Sequence, residues 1–274
     1  MLPELVESKA QGEIAEIYAQ IRSTCAVPYV SSLQRHLATR PGWLEWAWAA
    51  VAPVFHSGIG PTAAWEAADA LTVPELPPLS RSVLGVWGVD AKALHHIRNI
   101  CATFVRVSPT NLMFSALVRH QLRVAPSDEP RGQVPHWDAP AALPSLPPLV
   151  DPLSMDEDAQ GALMQLGNEV DGQPFVPGIY RMLGQWPAYL AHVSAVLRPH
   201  FDDAVTKACC AELLRFVDDA AATVAKSLPP PPAAVIRPPA EQHESVLDAI
   251  EQYRQTSPQM VVFGTMLANA LPDD

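Results

Sequence analysis

The stretch that decides the fold reads PYVSSLQRHL over residues 28–37, and a diverged copy, PFVPGIYRML, stands at residues 174–183. Beyond these stretches the register holds, since Pro41 and Pro187 are separated by the same 146 residues (187 − 41 and 174 − 28). Self-similarity at a long fixed period is typical of a repeated supersecondary unit. The chain is therefore predicted to contain an internal duplication.

A second match lies further along each copy. Residues 104–111 read FVRVSPTN and residues 253–260 read YRQTSPQM, with the prolines 149 residues apart (258 − 109). Each Ser-Pro pair suits a helix N-cap followed by the first helical position. We therefore expect an apolar helix to begin at each pair, over residues 112–122 and 261–271.

The apolar residues follow the period of a helix. Several segments place them at intervals of three and four, as in Ile14, Ile17, Tyr18 and Ile21, which is the stripe of an amphipathic helix. No stretch shows sustained alternation of apolar and polar residues. We predict an all-α fold of two tandem helical repeats that form a pseudo-dimer with the functional site between them. The predicted parts are residues 1–125, a proline-rich linker over residues 126–148, and residues 149–274.

Charge and composition exclude some partners and favour a location. The net charge of −11 argues against binding to nucleic acid or to an anionic membrane surface. No segment resembles a signal peptide, and no apolar run reaches the ~20 residues that cross a bilayer. The four cysteines lack metal-ligand spacing and are expected to be free thiols. These features predict a cytoplasmic protein without a metal or a membrane partner.

The sequence resembles the group I 2-haloacid dehalogenases, which act on both stereoisomers of 2-haloalkanoic acids. The resemblance is carried by residues 12–22, 27–28, 35–38, 41–48 and 180–190 and covers nearly the whole chain. It implies an all-helical pseudo-dimer, a small carboxylic acid or halo-acid as ligand, no cofactor and a homodimer. The repeats are also similar to AhpD-like helical proteins, but the chain lacks the CxxC that AhpD-type peroxidases use.

The resemblance also implies an aspartate that activates water for direct displacement of halide. Its expected place is the start of the helix that contains Tyr180, where this sequence has Pro177 and Gly178. The mirror position in the first repeat is also without a carboxylate. Asp171, several residues upstream, is the nearest candidate. Because general-base catalysis contributes about 10²–10⁴-fold, weak or absent dehalogenation is expected.

Three other positions match residues that the resemblance ties to activity. Thr62 and Glu66 are four residues apart and would share one helix face; the alternative is a helix cap followed by a solvated charge. Asn111 fits an asparagine that positions water or substrate, and the alternative is an exposed first-turn amide. These three residues are the predicted catalytic set.

The predicted substrate-binding set comprises Tyr29, Ser32, Gly178, Tyr180 and Tyr253. Tyr253 is also interpretable as a core aromatic. Arg35 and Arg181 occupy equivalent places, and either guanidinium could hold a substrate carboxylate in bidentate fashion. Their presence in both repeats favours a structural role instead.

Three functions remain open on sequence alone. The first is a dehalogenase-like protein with a small-acid pocket and doubtful activity. The second is a non-catalytic small-molecule-binding protein on the same scaffold. The third is another hydrolase that uses Glu66 or Asp171 as its base.

Overall fold

The computed structural model describes residues 2–123, 137–170, 172–232 and 234–273. The first half contains six helices, which span Gly12–Cys25 (α1), Ser32–Leu37 (α2), Trp43–His56 (α3), Ile59–Asp69 (α4), Arg81–Val86 (α5) and Ala91–Arg123 (α6). The second half contains Glu157–Gln165 (α7), Gly178–Leu183 (α8), Pro187–Leu197 (α9), Ala204–Val224 (α10) and His243–Ala270 (α11). The predicted all-α class is confirmed.

One short hairpin accompanies the helices within the described ranges. Asn168–Val170 (β1) pairs antiparallel with Gln173–Phe175 (β2), in the register Asn168 with Phe175. Strands of three residues are too short to show an alternating pattern, so the sequence contains no signal for them. The hairpin leads directly into α8 and places the start of that helix.

The helices form because their apolar stripes pack into two clusters. The first cluster joins α1, α3, α4 and part of α6 with α10, and it buries Trp43, Leu44 and Phe55. The second cluster joins the start of α6 with α8, α9 and α11, and it buries Tyr180 and Phe263. Because α6, α10 and α11 contribute to the packing of both halves, the two halves share one continuous body.

Side-chain caps begin several helices of the second half. Asp156 accepts the Ala159 amide ahead of α7, at 2.8 Å, and Asp203 accepts the Thr206 amide ahead of α10, also at 2.8 Å. A capping carboxylate satisfies an amide that has no partner in the first turn and interacts favourably with the helix dipole. These caps fix where α7 and α10 start.

The helices predicted to begin at the two Ser-Pro pairs begin earlier, and that expectation was wrong. Pro109 lies inside α6 and Pro258 lies inside α11. An interior proline removes one amide donor and disturbs the preceding turn. Side chains add hydrogen bonds in the same turns, because Thr110 Oγ1 donates to Val107 O at 2.8 Å and Ser257 Oγ donates to Tyr253 O at 2.7 Å.

Similar main-chain hydrogen bonds hold the first segment of each half. Leu5 N donates to Arg35 O at 2.9 Å, and Val150 N donates to Arg181 O at 3.1 Å. The helices α2 and α8 that carry these arginines begin 146 residues apart (178 − 32). These equivalences are compatible with the predicted repeats, whose boundaries and pseudo-dimeric arrangement stay a prediction.

Two further expectations concern the cysteines and the membrane. All four cysteines are free, and Cys25, Cys101 and Cys209 are buried, as predicted. Within the described ranges, no helix combines the length and apolar character that crossing a bilayer requires.

Candidate functional site

A small cavity lies between α1, the loop before α2, α3 and α6. Its volume is about 10 Å³, close to the minimum that holds one water molecule. Its polar lining residues are Tyr29, Ser31, Gln34, Thr110 and Asn111. None of the twelve described residues that line it is charged. The cavity can therefore hold a neutral polar group but offers no base and no cation.

Asn111 is the polar residue that lacks a partner in this cavity. Its side chain is 7% exposed, and its Oδ1 atom is buried without a hydrogen-bond donor among the described residues. A buried amide oxygen without a donor costs about 1–3 kcal/mol, so it needs a donor from elsewhere. Asn111 lies in the middle of α6, and the alternative interpretation as an exposed first-turn amide was wrong.

Two neighbours of Asn111 are chemically inert. Burial raises the pKa of the Cys25 thiol to about 12, although a hydrogen bond with Thr110 acts in the opposite direction. Burial also raises the pKa of the Tyr29 phenol. Both groups stay protonated at neutral pH, so neither can act as a nucleophile or a base.

Thr62 and Glu66 share a face of α4, as their spacing predicts, but they do not face the Asn111 cavity. They line an open groove of about 650 Å³ between α4 and α10, together with Trp137 and Asp219. Glu66 is exposed, and a solvated carboxylate is a poor general base. The predicted catalytic set of Thr62, Glu66 and Asn111 is thus divided between two places.

The loop before α2 presents one serine to the cavity and the other to an arginine. Ser31 lines the cavity and donates to Gln34 Oε1. Ser32, the predicted substrate-binding residue, accepts a hydrogen bond from Arg35 Nη2 at 3.2 Å. Of the predicted substrate-binding set, Tyr29 lines the cavity, whereas Ser32 is one residue removed from it.

Gly178 and Tyr180 lie on α8, in different surroundings. A Cβ atom on Gly178 would approach Phe104 at 3.5 Å, and the Phe104 ring lies 6.1 Å from the ring of Tyr29. Tyr180 is fully buried in the second core cluster, where its hydroxyl lacks a partner among the described residues. The Phe104 ring thus connects Gly178 to Tyr29, while Gly178 itself is outside the cavity lining and Tyr180 is in the core. Asp171 lies outside the described residues.

A polar cluster surrounds Arg35 beside the loop. Arg35 Nη2 lies 2.7 Å from Glu4 Oε2. The Tyr253 ring packs at 6.3 Å from His36. Burial raises the pKa of Tyr253, with the negative charge of Glu4 adding to the effect. Tyr253 thus contacts polar groups in addition to the core.

Sequence reasoning missed Ser31, Gln34 and Glu4. A signal for the first two exists, because Ser-x-x-Gln is the pattern of a capping box and places both side chains at a helix start. Glu4 is 31 residues from Arg35 in the chain, and no local pattern joins them. Within the described ranges, no group of three His, Cys, Asp or Glu side chains is arranged to hold a metal ion.

Sequence comparisons give two relatives at low identity. A configuration-inverting 2-haloacid dehalogenase from Alcaligenes xylosoxydans xylosoxydans is 27% identical over 206 residues, which cover 72% of this chain and 69% of the relative. An (R)-2-haloacid dehalogenase from Pseudomonas putida is 24% identical over 218 residues, covering 74% of this chain and 69% of the relative. No protein-family model matches the chain.

Structural comparison extends the similarity to nearly the whole chain. A D-2-haloacid dehalogenase solved with L-LA superposes with a TM-score of 0.68 at 18% identity, covering 99% of this chain and 97% of that one. A mutant solved with D-2-CPA gives a TM-score of 0.67 at 17% identity, with 99% and 96% covered. The chain therefore has the fold of the D-2-haloacid dehalogenases and is related in sequence, at low identity, to 2-haloacid dehalogenases.

Proposed function

We propose that this is a 2-haloacid-dehalogenase-like protein that binds a short 2-substituted carboxylic acid beside Asn111 and releases halide weakly or not at all. The observation that carries the proposal is the unpaired, buried Oδ1 atom of Asn111. It provides a hydrogen-bond acceptor for a water molecule or for a hydroxyl group of the ligand. The substrates named for the relatives supply the ligand class.

The weak activity follows from the start of α8. Pro177 is the N-cap residue of this helix and Gly178 its first residue, where the family resemblance leads us to expect an aspartate. The described lining of the Asn111 cavity also lacks a carboxylate. Without a general base, a water held by Asn111 would be oriented but not deprotonated.

The size of the cavity sets a condition on binding. A volume of about 10 Å³ holds one water but not a haloacid. The ligand would therefore bind with its 2-substituent or a water at Asn111 and its remaining atoms towards Tyr29 and Gly178. We infer that the packing of Phe104 between Gly178 and Tyr29 has to loosen for this to happen.

The test combines binding and turnover. We would measure the thermal unfolding temperature and halide release with both enantiomers of 2-chloropropionate, and the unfolding temperature with both enantiomers of lactate. Stabilisation by ligand without halide release supports the proposal. Asn111→Leu should abolish the stabilisation, whereas Thr103→Val, a buried change on the same helix outside the cavity lining, should retain it. Turnover at ordinary enzyme rates, about 1–10³ per second, would overturn the claim that halide release is weak or absent. If no ligand stabilises the protein, the claim that it binds a short carboxylic acid is overturned.

A gain-of-function variant tests the missing base directly. The Cβ atom of an aspartate at Gly178 would meet its neighbours at 3.5 and 3.6 Å, which is ordinary contact. The first turn of a helix also favours a carboxylate. We expect Gly178→Asp to release halide measurably faster than the wild type. The control is Gly161→Asp on α7, where the described surroundings are open.

The other hydrolase hypothesis has less support. Glu66 is exposed in an open groove beside Asp219, and two neighbouring carboxylates disfavour an acidic substrate. Asp171 lies outside the described residues. A cytoplasmic location and a homodimer remain predictions.

A further inference from the structure

The guanidinium of Arg35 is only partly used by its neighbours. Its Nη2 atom donates to Ser32 Oγ at 3.2 Å and to Glu4 Oε2 at 2.7 Å. Its Nε atom is buried and has no partner within the described part of the chain. A carboxylate that binds arginine from the side uses Nε and Nη2 together. Arg35 therefore has half of a bidentate site unfilled.

The carboxylate of Glu4 reaches Arg35 from the segment ahead of α1. That segment is held through its own main-chain atoms. Leu5 N donates to Arg35 O at 2.9 Å, and Leu5 O accepts from Tyr18 Oη at 2.9 Å. In addition, Pro3 O accepts from His36 Nδ1 at 2.8 Å. With its backbone held in this way, Glu4 satisfies Nη2 and leaves Nε unpaired.

Comparison with the second half shows which contacts of the arginine hold the leading segment and which involve a carboxylate. Arg181, which is equivalent to Arg35, uses its Nε atom to donate to Val150 O at 3.2 Å. Where Glu4 precedes Leu5, the apolar Leu149 precedes Val150. The second half thus holds its leading segment by main-chain acceptors alone. The carboxylate at Arg35 is additional to what this packing requires.

The position of Arg35 relates it to the Asn111 cavity. Arg35 Nη2 donates to Ser32 Oγ at 3.2 Å, and Ser32 directly follows Ser31, which lines the cavity. The described cavity lining itself contains no cation. A carboxylic acid held at the cavity would need a cation for its charged end, and Arg35 is one serine removed from the cavity lining.

We infer that Arg35, with Ser32, is a carboxylate-binding site that Glu4 fills from within the chain and that a free carboxylate can take over. The ligand's carboxylate would accept from both Nε and Nη2, and Glu4 would move towards solvent. The exchange replaces one carboxylate by another, so Arg35 remains neutralised. The inference rests on the proposed function for the class of ligand, a short carboxylic acid.

The test removes the internal competitor. Glu4→Gln keeps the size of the side chain but loses its charge, and we would measure propionate affinity by calorimetry at constant ionic strength. If Glu4 occupies the site in about nine tenths of the wild-type molecules, only about a tenth of them can bind propionate. We therefore expect Glu4→Gln to bind propionate about tenfold more tightly than the wild type does. The control is Glu7→Gln, in the same segment, whose partners are Arg22 and the Val30 amide. Propionamide serves as the neutral probe.

A second pair of variants assigns the site to Arg35. Glu4→Gln combined with Arg35→Leu should lose the gained affinity, and Glu4→Gln combined with Arg35→Lys should keep only part of it, because lysine lacks the planar fork. Circular dichroism checks that each variant is folded. Equal affinity in the wild type and Glu4→Gln, or a gain that survives Arg35→Leu, would overturn the inference.

The two proposals fail in distinguishable ways. If Asn111→Leu abolishes binding of 2-chloropropionate while Glu4→Gln changes nothing, the proposed function stands and the role of Glu4 and Arg35 falls. If Glu4→Gln gains propionate affinity that Asn111→Leu leaves unaltered, the Arg35 site stands and the Asn111 cavity is not part of it.

Discussion

Arg254 Nη2 lies 2.8 Å from both carboxylate oxygens of Asp218, joining α11 to α10. The Arg254 side chain is 5% exposed and also donates to Ser115 Oγ on α6, at 3.2 Å. Arg119 of α6 contacts the same carboxylate at 2.8 Å. Glu251 of α11 also pairs with both arginines, at 2.8 Å from Arg119 and 3.8 Å from Arg254. Two carboxylates thus balance two arginines where the long helices of both halves meet.

Replacing Asp218 by alanine should destabilise the fold. It would leave Arg254 buried without its main counter-ion, and breaking such a pair costs several kcal/mol when it is fully buried. Because Asp218 is itself 36% exposed, we expect a smaller loss, about 2 kcal/mol. Urea unfolding measures it. The control is Asp219→Ala, whose side chain is 72% exposed and whose partner is the exposed Arg215, with an expected loss below about 0.5 kcal/mol. Equal losses would contradict this account.

Gly58 should tolerate a side chain worse than Gly88 does. Both have a φ of +76°, but a Cβ atom on Gly58 would lie 2.2 Å from the Trp137 ring, whereas one on Gly88 would meet no described atom within 4 Å. A left-handed conformation costs an alanine about 1–2 kcal/mol. Gly88→Ala should lose that amount, and Gly58→Ala should lose at least about 1 kcal/mol more because Trp137 must move. Denaturant unfolding of both variants gives the difference, and similar losses would show that Trp137 adjusts freely.

Asn111→Leu should leave the unliganded protein as stable as the wild type, or stabilise it by about 1 kcal/mol. The reason is that leucine has the same number and branching of side-chain heavy atoms and removes a buried acceptor without a partner, an unfavourable group in the folded state. Thr110→Val is the comparison, since Thr110 donates to Val107 O at 2.8 Å, and it should lose about 1 kcal/mol. Thermal unfolding without ligand checks both. A large loss in Asn111→Leu would mean that the amide already has a partner.

The stability of the protein should fall as the pH drops below about 6.5. Burial lowers the pKa of His36 from 6.5, and it also lowers the pKa values of His56 and His192. The unfolded chain then binds protons that the folded chain does not, so folding stability is retained above this pH and lost below it. His36 Nε2 is buried without a described partner, which leaves the imidazolium no acceptor there.

The measurement is the free energy of unfolding at pH 7.5 and at pH 5. His36→Gln should reduce the loss between these values by roughly 1 kcal/mol. His95→Gln, at an exposed position, should leave it unchanged. A pH profile that His36→Gln does not alter would contradict the assignment.

The helical class was predictable because the stripes that define it also form the core. Leu44, Val51 and Phe55, for example, are at most 1% exposed. The starts of α6 and α11 were not predictable from Ser-Pro pairs, since the tertiary packing of these helices outweighs the donor that each proline removes. The hairpin before α8 is too short to leave a periodic signal.

The site was predictable only in part. Tyr29 and Asn111 meet at one cavity as expected, but Thr62 and Glu66 follow a helix face that turns towards α10 instead. Spacing within a helix establishes which residues share a face, and the neighbour of that face depends on contacts distant in sequence. The Glu4–Arg35 pair likewise joins residues that are distant in sequence, so no local pattern predicts it.

The matching hydrogen bonds from Leu5 N to Arg35 O and from Val150 N to Arg181 O involve main-chain atoms only. Each arrangement is therefore insensitive to the identity of the side chains beside it, and mutation at Glu4 or Leu149 need not release the segment. Under the predicted duplication, equivalent positions would be free to diverge, so that one copy could acquire a charged group while the other kept an apolar one.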